Sequence, residues 1–281
     1  MAKALSSSPI LPSPSLAILL ESPADSVRRL LVDSTRSSAF RHPMVARRNP
    51  IVPRSTVRVA GRAVQTTVTA RPAVARRWLH TALWRHGRAL RSADGLTVGL
   101  GVQWTPPFRR LPAGVEPRPG TLQLCVGSYC LVFQIARAGG GAVPRILRRF
   151  LAHARVTCAG YNVGSDCRKL RAHHGLKVAS VVELRGAAAG LGGNASLADM
   201  AETLLGMRGV EKSRGVATGE WDGERLSRKQ VTYASVDAYV SCCLGVYLRR
   251  RRAMASIELE SEYTDDDDTE SMSSEASSDW G

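Results

Sequence analysis

Regular alternation of apolar and polar positions begins near Gln65. The stretch VQTTVTA alternates with period two, the pattern of a half-buried strand. The period then changes. In RPAVARRWLHTALWRHG, Ala75, Trp78, Leu79, Ala82 and Leu83 fall on one helical stripe, with Pro72 near the start, where its missing N–H leaves no hydrogen bond unmade. LTVGLGVQW, residues 96 to 104, returns to strand, and TPPFRRLPAGVEPRPG is a Pro/Gly connection. TLQLCVG and CLVFQIA predict a hairpin around Gly127 and Ser128. Ile146, Leu147, Phe150 and Leu151 mark the buried face of a helix in VPRILRRFLAHA.

The second half alternates strands with helices. VTCAGYNV is a strand that feeds a short helix in GSDCRKLRAHHG, which Gly175 can close as a C-terminal cap. KVASVVEL is a strand. SLADMAETLLG is a helix with Ser196 as N-cap, Asp199 three residues on and Gly206 at its end. A basic loop, MRGVEKSRGVATGEW, leads to a last helix opened by a Ser227/Gln230 capping box and continued through VTYASVDAYVSCCLGVYL. The order predicts an α/β domain built on one mixed sheet flanked by helices, over residues 63–252. A disordered leader is expected over 1–62 and an unpacked acidic tail over 253–281.

Charge changes this picture more than overall composition does. The 281 residues carry a formal net charge of +15, but unevenly. No Asp or Glu occurs between Asp33 and Asp94, whereas the ten acids from Glu258 onward have no Lys or Arg among them. A basic body fits an anionic partner, with DNA or RNA first. It equally fits GC-rich coding, which favours Arg, Ala, Gly and Pro. The tail TDDDDTESMSSEASSD offers a docking segment for a basic protein partner, or simply a solvated end, and its serines beside acids are candidate phosphorylation sites. The Ser-, Pro- and Arg-rich leader reads as a disordered segment, with an organelle transit peptide as the alternative.

The six cysteines include no C-x-x-C pair and no neighbouring His at zinc-ligand spacing. Cys125, Cys158 and Cys242 fall in apolar runs. A reduced set with neither disulfides nor zinc is therefore expected. No run approaches the roughly 20 apolar residues of a membrane helix, so no membrane partner is expected.

Three polar residues stand in apolar surroundings: Asp166 in GYNVGSDCRKL, and Tyr233 and Asp237 in VTYASVDAYV. Four residues apart on a helix, Tyr233 and Asp237 share a face. A bare carboxylate in such a run is costly unless paired or metal-bound. Taken alone, these residues fit a salt-bridged acid and a core tyrosine as well as a site.

The order of segments adds more. VGLGVQW, TLQLCVGSYCLVFQI, PRILRRFLAHARVTCAGYNVGSDCRKL, LADMAETLLG and GEWDGERLSRKQVTYASVDAYVS together resemble the DEDD family of 3′–5′ exonucleases, in its tyrosine-bearing subfamily and nearest the Werner-syndrome-like members. The resemblance covers roughly residues 63–250. It implies a ribonuclease H-like fold, removal of nucleotides from a 3′ end, two Mg²⁺ or Mn²⁺ ions held by four carboxylates, and a tyrosine that positions the attacking water. Hard cations need oxygen ligands, and two of them roughly 4 Å apart clamp the attacking and leaving oxygens. The resemblance also implies a nuclear protein, with a plastid or mitochondrion left open by the leader.

Carried over residue by residue, the resemblance is incomplete. Asp166 matches the second-motif acid, and Tyr233 and Asp237 match the tyrosine and acid of the third. The first motif would place two acids two residues apart on one strand face, and this chain has Gly101 and Gln103 there. Asp94 and Glu116 lie outside that register. The expectation is a nucleic-acid-binding domain with impaired catalysis, with Lys212 and Arg214 as candidate backbone contacts. The alternatives are an active exonuclease with a reduced metal site, and a protein-interaction module using the acidic tail.

Overall fold

The computed structural model describes residues 54–139, 143–187, 195–210 and 214–265, with backbone only for Arg54, Arg214 and residues 257–265. Seven strands form one mixed sheet: β1 (Arg54–Val59), β2 (Arg62–Thr69), β3 (Leu96–Gln103), β4 (Thr121–Val126), β5 (Tyr129–Phe133), β6 (Val156–Gly160) and β7 (Ser180–Glu183), in the order β1-β2-β5-β4-β3-β6-β7. β1–β2 and β5–β4–β3 pair antiparallel, while β2–β5 and β3–β6–β7 are parallel. The helices are α1 (Pro72–Arg85), α2 (Gly87–Arg91), α3 (Arg145–Leu151), α4 (Val163–His174), α5 (Leu197–Leu205), α6 (Arg214–Ala217) and α7 (Arg228–Asp265).

The pleat of β3 sorts its side chains between two cores. Leu96, Val98, Leu100 and Val102 join the core under α1–α4, with Leu79, Leu83, Leu147 and Phe150. Thr97, Gly99, Gly101 and Gln103 alternate with them and face α7. α7 and α5 cover this second face through Val240, Leu244, Leu197 and Met200. Two glycines let α7 lie against the strands. A Cβ on Gly99 would meet the Ala238 carbonyl oxygen at 1.8 Å, and one on Gly245 would meet Ala159 Cβ at 2.3 Å.

The predicted stripe of α1 is buried at Ala75, Leu79, Ala82 and Leu83, with Pro72 at its first turn. Gly175 and Gly206 adopt the left-handed cap conformation. Both capping boxes form, Ser196 with Asp199 and Ser227 with Gln230.

Four expectations need correction. The first strand lies inside the segment read as leader. Val57 and Val59 are buried and pair with β2 through a tight turn whose Ala60 and Gly61 both have positive φ, as a two-residue hairpin of this twist requires. Helix also continues past Arg252 to Asp265, although residues 251–256 are exposed. The cysteines are not all reduced: the β4–β5 register sets Cys125 opposite Cys130, with Cα atoms 4.2 Å apart, and the two form a disulfide. Finally, Arg228–Ser256 of α7 is long and apolar enough to cross a membrane, but 61% of its most apolar window is buried within the domain.

Candidate active site

The expected site residues meet where β3 ends, between α4 and the middle of α7. β3 pairs with β6 only as far as Gly99↔Ala159. Beyond that point its backbone needs other partners. Asp166, in the first turn of α4, supplies one by accepting the Val102 N–H at 3.2 Å. It is 8% exposed. Burial first, and then the like charge of Asp237, push its carboxyl well above the usual carboxylate range, against the opposing pull of Lys169 and the Val102 amide.

Asp237 is half-buried on α7, beside the same strand end. The Gln103 Nε2 donates to its Oδ2 at 3.3 Å. Gly101 lies beside the same oxygen, which a Cβ there would approach to 3.4 Å. Tyr233, one turn earlier, packs its ring on Trp221 with centroids 5.9 Å apart. Trp221 is fully buried, donates its indole N–H to the Ala217 carbonyl, and receives its own backbone anchor from Thr105 just past β3. Asp166, Asp237, Gly101 and Gln103 are thus brought together, with Tyr233 on the same helix face. Lys212 lies outside the described residues, and Arg214 is placed by its backbone alone.

The candidate rescuing acids do not reach this point. Asp94 precedes β3, at the opposite end of the strand, where its carbonyl accepts from Arg249. Glu116 pairs with Arg168 at 2.8 Å and Lys169 at 3.6 Å. Its carboxyl is held below the usual range by the Arg168 bond first. Glu183 approaches Asp166 but accepts the Asn162 N–H at 2.6 Å and caps the start of α4.

Two residues were not singled out from the sequence. Lys169, 2% exposed, sits 4.2 Å over the Trp104 ring and donates to Ser165 Oγ at 2.5 Å. Gln123, on β4 directly across from Gly101, is fully buried. Its Nε2 donates to Thr121 Oγ1 at 2.5 Å, while its Oε1 has no hydrogen-bond partner. A polar residue inside TLQLCV was the available signal for it.

The pair of cations implied by the resemblance is tested by this donor set. Hard cations in such a clamp require several carboxylate oxygens. Here one position has no side chain, and another is a neutral amide turned N–H-first toward Asp237. Among the described residues, no group of three or more His, Cys, Asp or Glu side chains is placed to hold a metal. The residues present do not fit a two-metal site.

A mixed seven-stranded sheet flanked by helices, with α7 packed on one face, is a ribonuclease H-like fold. The sequence profile of the 3′-5′ exonuclease domain matches residues 113–251, a span that includes Asp166, Tyr233 and Asp237 and begins after β3. The chain is 33% identical over 149 residues to a 3′-5′ exonuclease of Arabidopsis thaliana, covering 51% of this chain and 49% of that protein. It is 28% identical over 155 residues to the bifunctional 3′-5′ exonuclease/ATP-dependent helicase WRN of Mus musculus, covering 54% of this chain and 11% of that one. Trypanosoma brucei RNase D superposes with a TM-score of 0.53 at 14% identity, over 65% of this chain and 64% of that one, a likeness of fold. Over residues 113–251 this chain is thus similar to the 3′-5′ exonuclease domain. Its match spans about half the length of the Arabidopsis relative.

Proposed function

We propose that this chain binds nucleic acid through a 3′–5′ exonuclease-family domain whose phosphodiester hydrolysis is impaired. The observation that carries the reading is the amide-to-carboxylate hydrogen bond from Gln103 to Asp237, beside a glycine where the family resemblance expects an acid. Tyr233, one helical turn before Asp237, supports placement in the tyrosine-bearing subfamily. If a Mg²⁺ or Mn²⁺ ion is retained, Asp166 and Asp237 are the acids left to hold it. Losing catalytic ligands removes transition-state stabilisation at about 1.4 kcal/mol per factor of ten in rate.

Binding has its own support. The exposed Arg76, Arg77, Arg85, Arg88 and Arg91 line α1 and α2, and the acid-free run between Asp33 and Asp94 includes both helices. Trp84 on the same helix is 79% exposed, and Arg85 stacks 4.2 Å over the Tyr129 ring. Exposed aromatics among cations are the pattern of single-strand binding, where bases stack and phosphates pair. Fluorescence anisotropy with labelled single-stranded DNA and RNA tests this. Binding is expected to be the same in EDTA as in Mg²⁺, and to weaken at least tenfold between about 50 and 200 mM salt. Binding that is absent, or indifferent to salt, would favour a protein partner for the acidic tail instead.

A further inference from the structure

Gly99 and Gly101 share one face of β3, yet they meet different neighbours. A Cβ on Gly99 would strike α7 backbone at 1.8 Å, so helix packing demands that glycine. A Cβ on Gly101 would meet only side-chain atoms, Gln123 Oε1 at 2.9 Å and Asp237 Oδ2 at 3.4 Å. Packing of α7 does not require a glycine at 101. What stands in the way of a side chain there is the Gln123 amide.

Gln123 is also the polar group that this part of the core explains least. It is fully buried, and its Oε1 is aimed at the Gly101 position with no hydrogen-bond partner. An unsatisfied buried acceptor costs about 1–3 kcal/mol. Reversing the amide exchanges two groups of nearly equal size. The Thr121 hydroxyl then donates to Oε1, and Nε2 turns toward the space that Asp237 also borders. Gln103 already donates an amide N–H to that carboxylate.

We propose that Gln123 plugs the space an acid at position 101 would need, while the Gln103 amide holds Asp237 where the family resemblance expects cations. The proposal rests on the reading of the site as impaired. It has a consequence that reading lacks: restoring Gly101→Asp and Gln103→Glu is insufficient while Gln123 remains.

Two measurements test the plug. The first involves no metal, so its failure is separate from failure of the impaired-site reading. In urea denaturation, Gly101→Ala is expected to shift the unfolding equilibrium about threefold or more toward the unfolded chain in the native background. In the Gln123→Ala background the same change is expected to be neutral or stabilising, because the methyl fills vacated space and restricts the unfolded backbone. Additive effects would overturn the proposal. The second is Mn²⁺ binding followed by electron paramagnetic resonance. The variant carrying Gly101→Asp, Gln103→Glu and Gln123→Ala is expected to bind at least tenfold more tightly than the one carrying only the first two. Equal affinities, or none in either, would overturn it. Tight Mn²⁺ binding by the unaltered chain that Gln123→Ala abolishes would make Gln123 a ligand and would overturn both readings.

Discussion

Replacing Gly99 with alanine is expected to cost about 3 kcal/mol or more, enough to unfold a domain of ordinary marginal stability. The added methyl would sit 1.8 Å from the Ala238 carbonyl oxygen and 2.7 Å from the Cys242 nitrogen. Both are backbone atoms of α7, so no rotamer change relieves the clash. The helix would have to lift from the sheet, opening contacts at Val240 and Leu244, both fully buried. It would also carry Asp237 away from Gln103. Urea denaturation followed by far-UV circular dichroism measures the loss. A cost below about 1 kcal/mol would mean that α7 does not pack as closely as the Gly99 contact requires.

Asp166→Asn is expected to work in the opposite direction, stabilising the domain at neutral and alkaline pH. Burial and Asp237 raise the folded-state carboxyl above its ordinary value, so the folded chain holds this proton more tightly than the unfolded chain does. The contribution of this group favours folding at low pH. It is lost as pH rises from about 3.9, the unfolded value, through the raised folded value. An asparagine keeps an acceptor for the Val102 N–H and has no charge to bury. The variant should therefore be about 1–2 kcal/mol more stable than the native chain at pH 8, with the difference vanishing toward pH 4. Thermal melts across that range, with and without Mn²⁺, provide the check. A variant that is less stable at pH 8, and less so still relative to native chain when Mn²⁺ is added, would mean Asp166 is held as a charged ligand.

Much of the fold is legible along the chain because its signals are local. The α1 stripe, the Gly175 and Gly206 caps and the two capping boxes are each set by residues within a few positions of one another. What was misread depended on distant partners. β1 alternates Val57 and Val59 with polar residues, but its arginines resemble the leader, and only pairing with β2 shows it to be a strand. The disulfide escaped because a C-x-x-C rule looks along the chain, whereas the hairpin register sets Cys125 opposite Cys130 across a two-residue turn. The parallel β2–β5 pairing, which puts β5 between β2 and β4, has no local signature at all.

The candidate site divides in the same way. Asp166, Tyr233 and Asp237 stand out as polar residues in apolar runs, and the gap at Gly101 and Gln103 is readable once the segments are set in order. The chemistry at that gap is not. That Gln103 turns its N–H toward Asp237, and that Gln123 reaches across from β4 into the place beside Gly101, are tertiary facts. Asp166 also gains a structural duty, satisfying a β3 amide that β6 ends too early to pair. That duty is independent of any catalytic role.

The most direct test compares release of 3′-terminal nucleotides by the native chain and by the double variant Asp166→Asn/Asp237→Asn. Both are incubated with 5′-labelled single-stranded DNA and RNA in Mg²⁺ and in Mn²⁺. With the site held by amides, the two proteins should release nucleotides at rates within about threefold of each other. Release by the native chain about a hundredfold faster than by the variant would contradict the account, because that difference is about 2.7 kcal/mol of transition-state stabilisation supplied by the two acids.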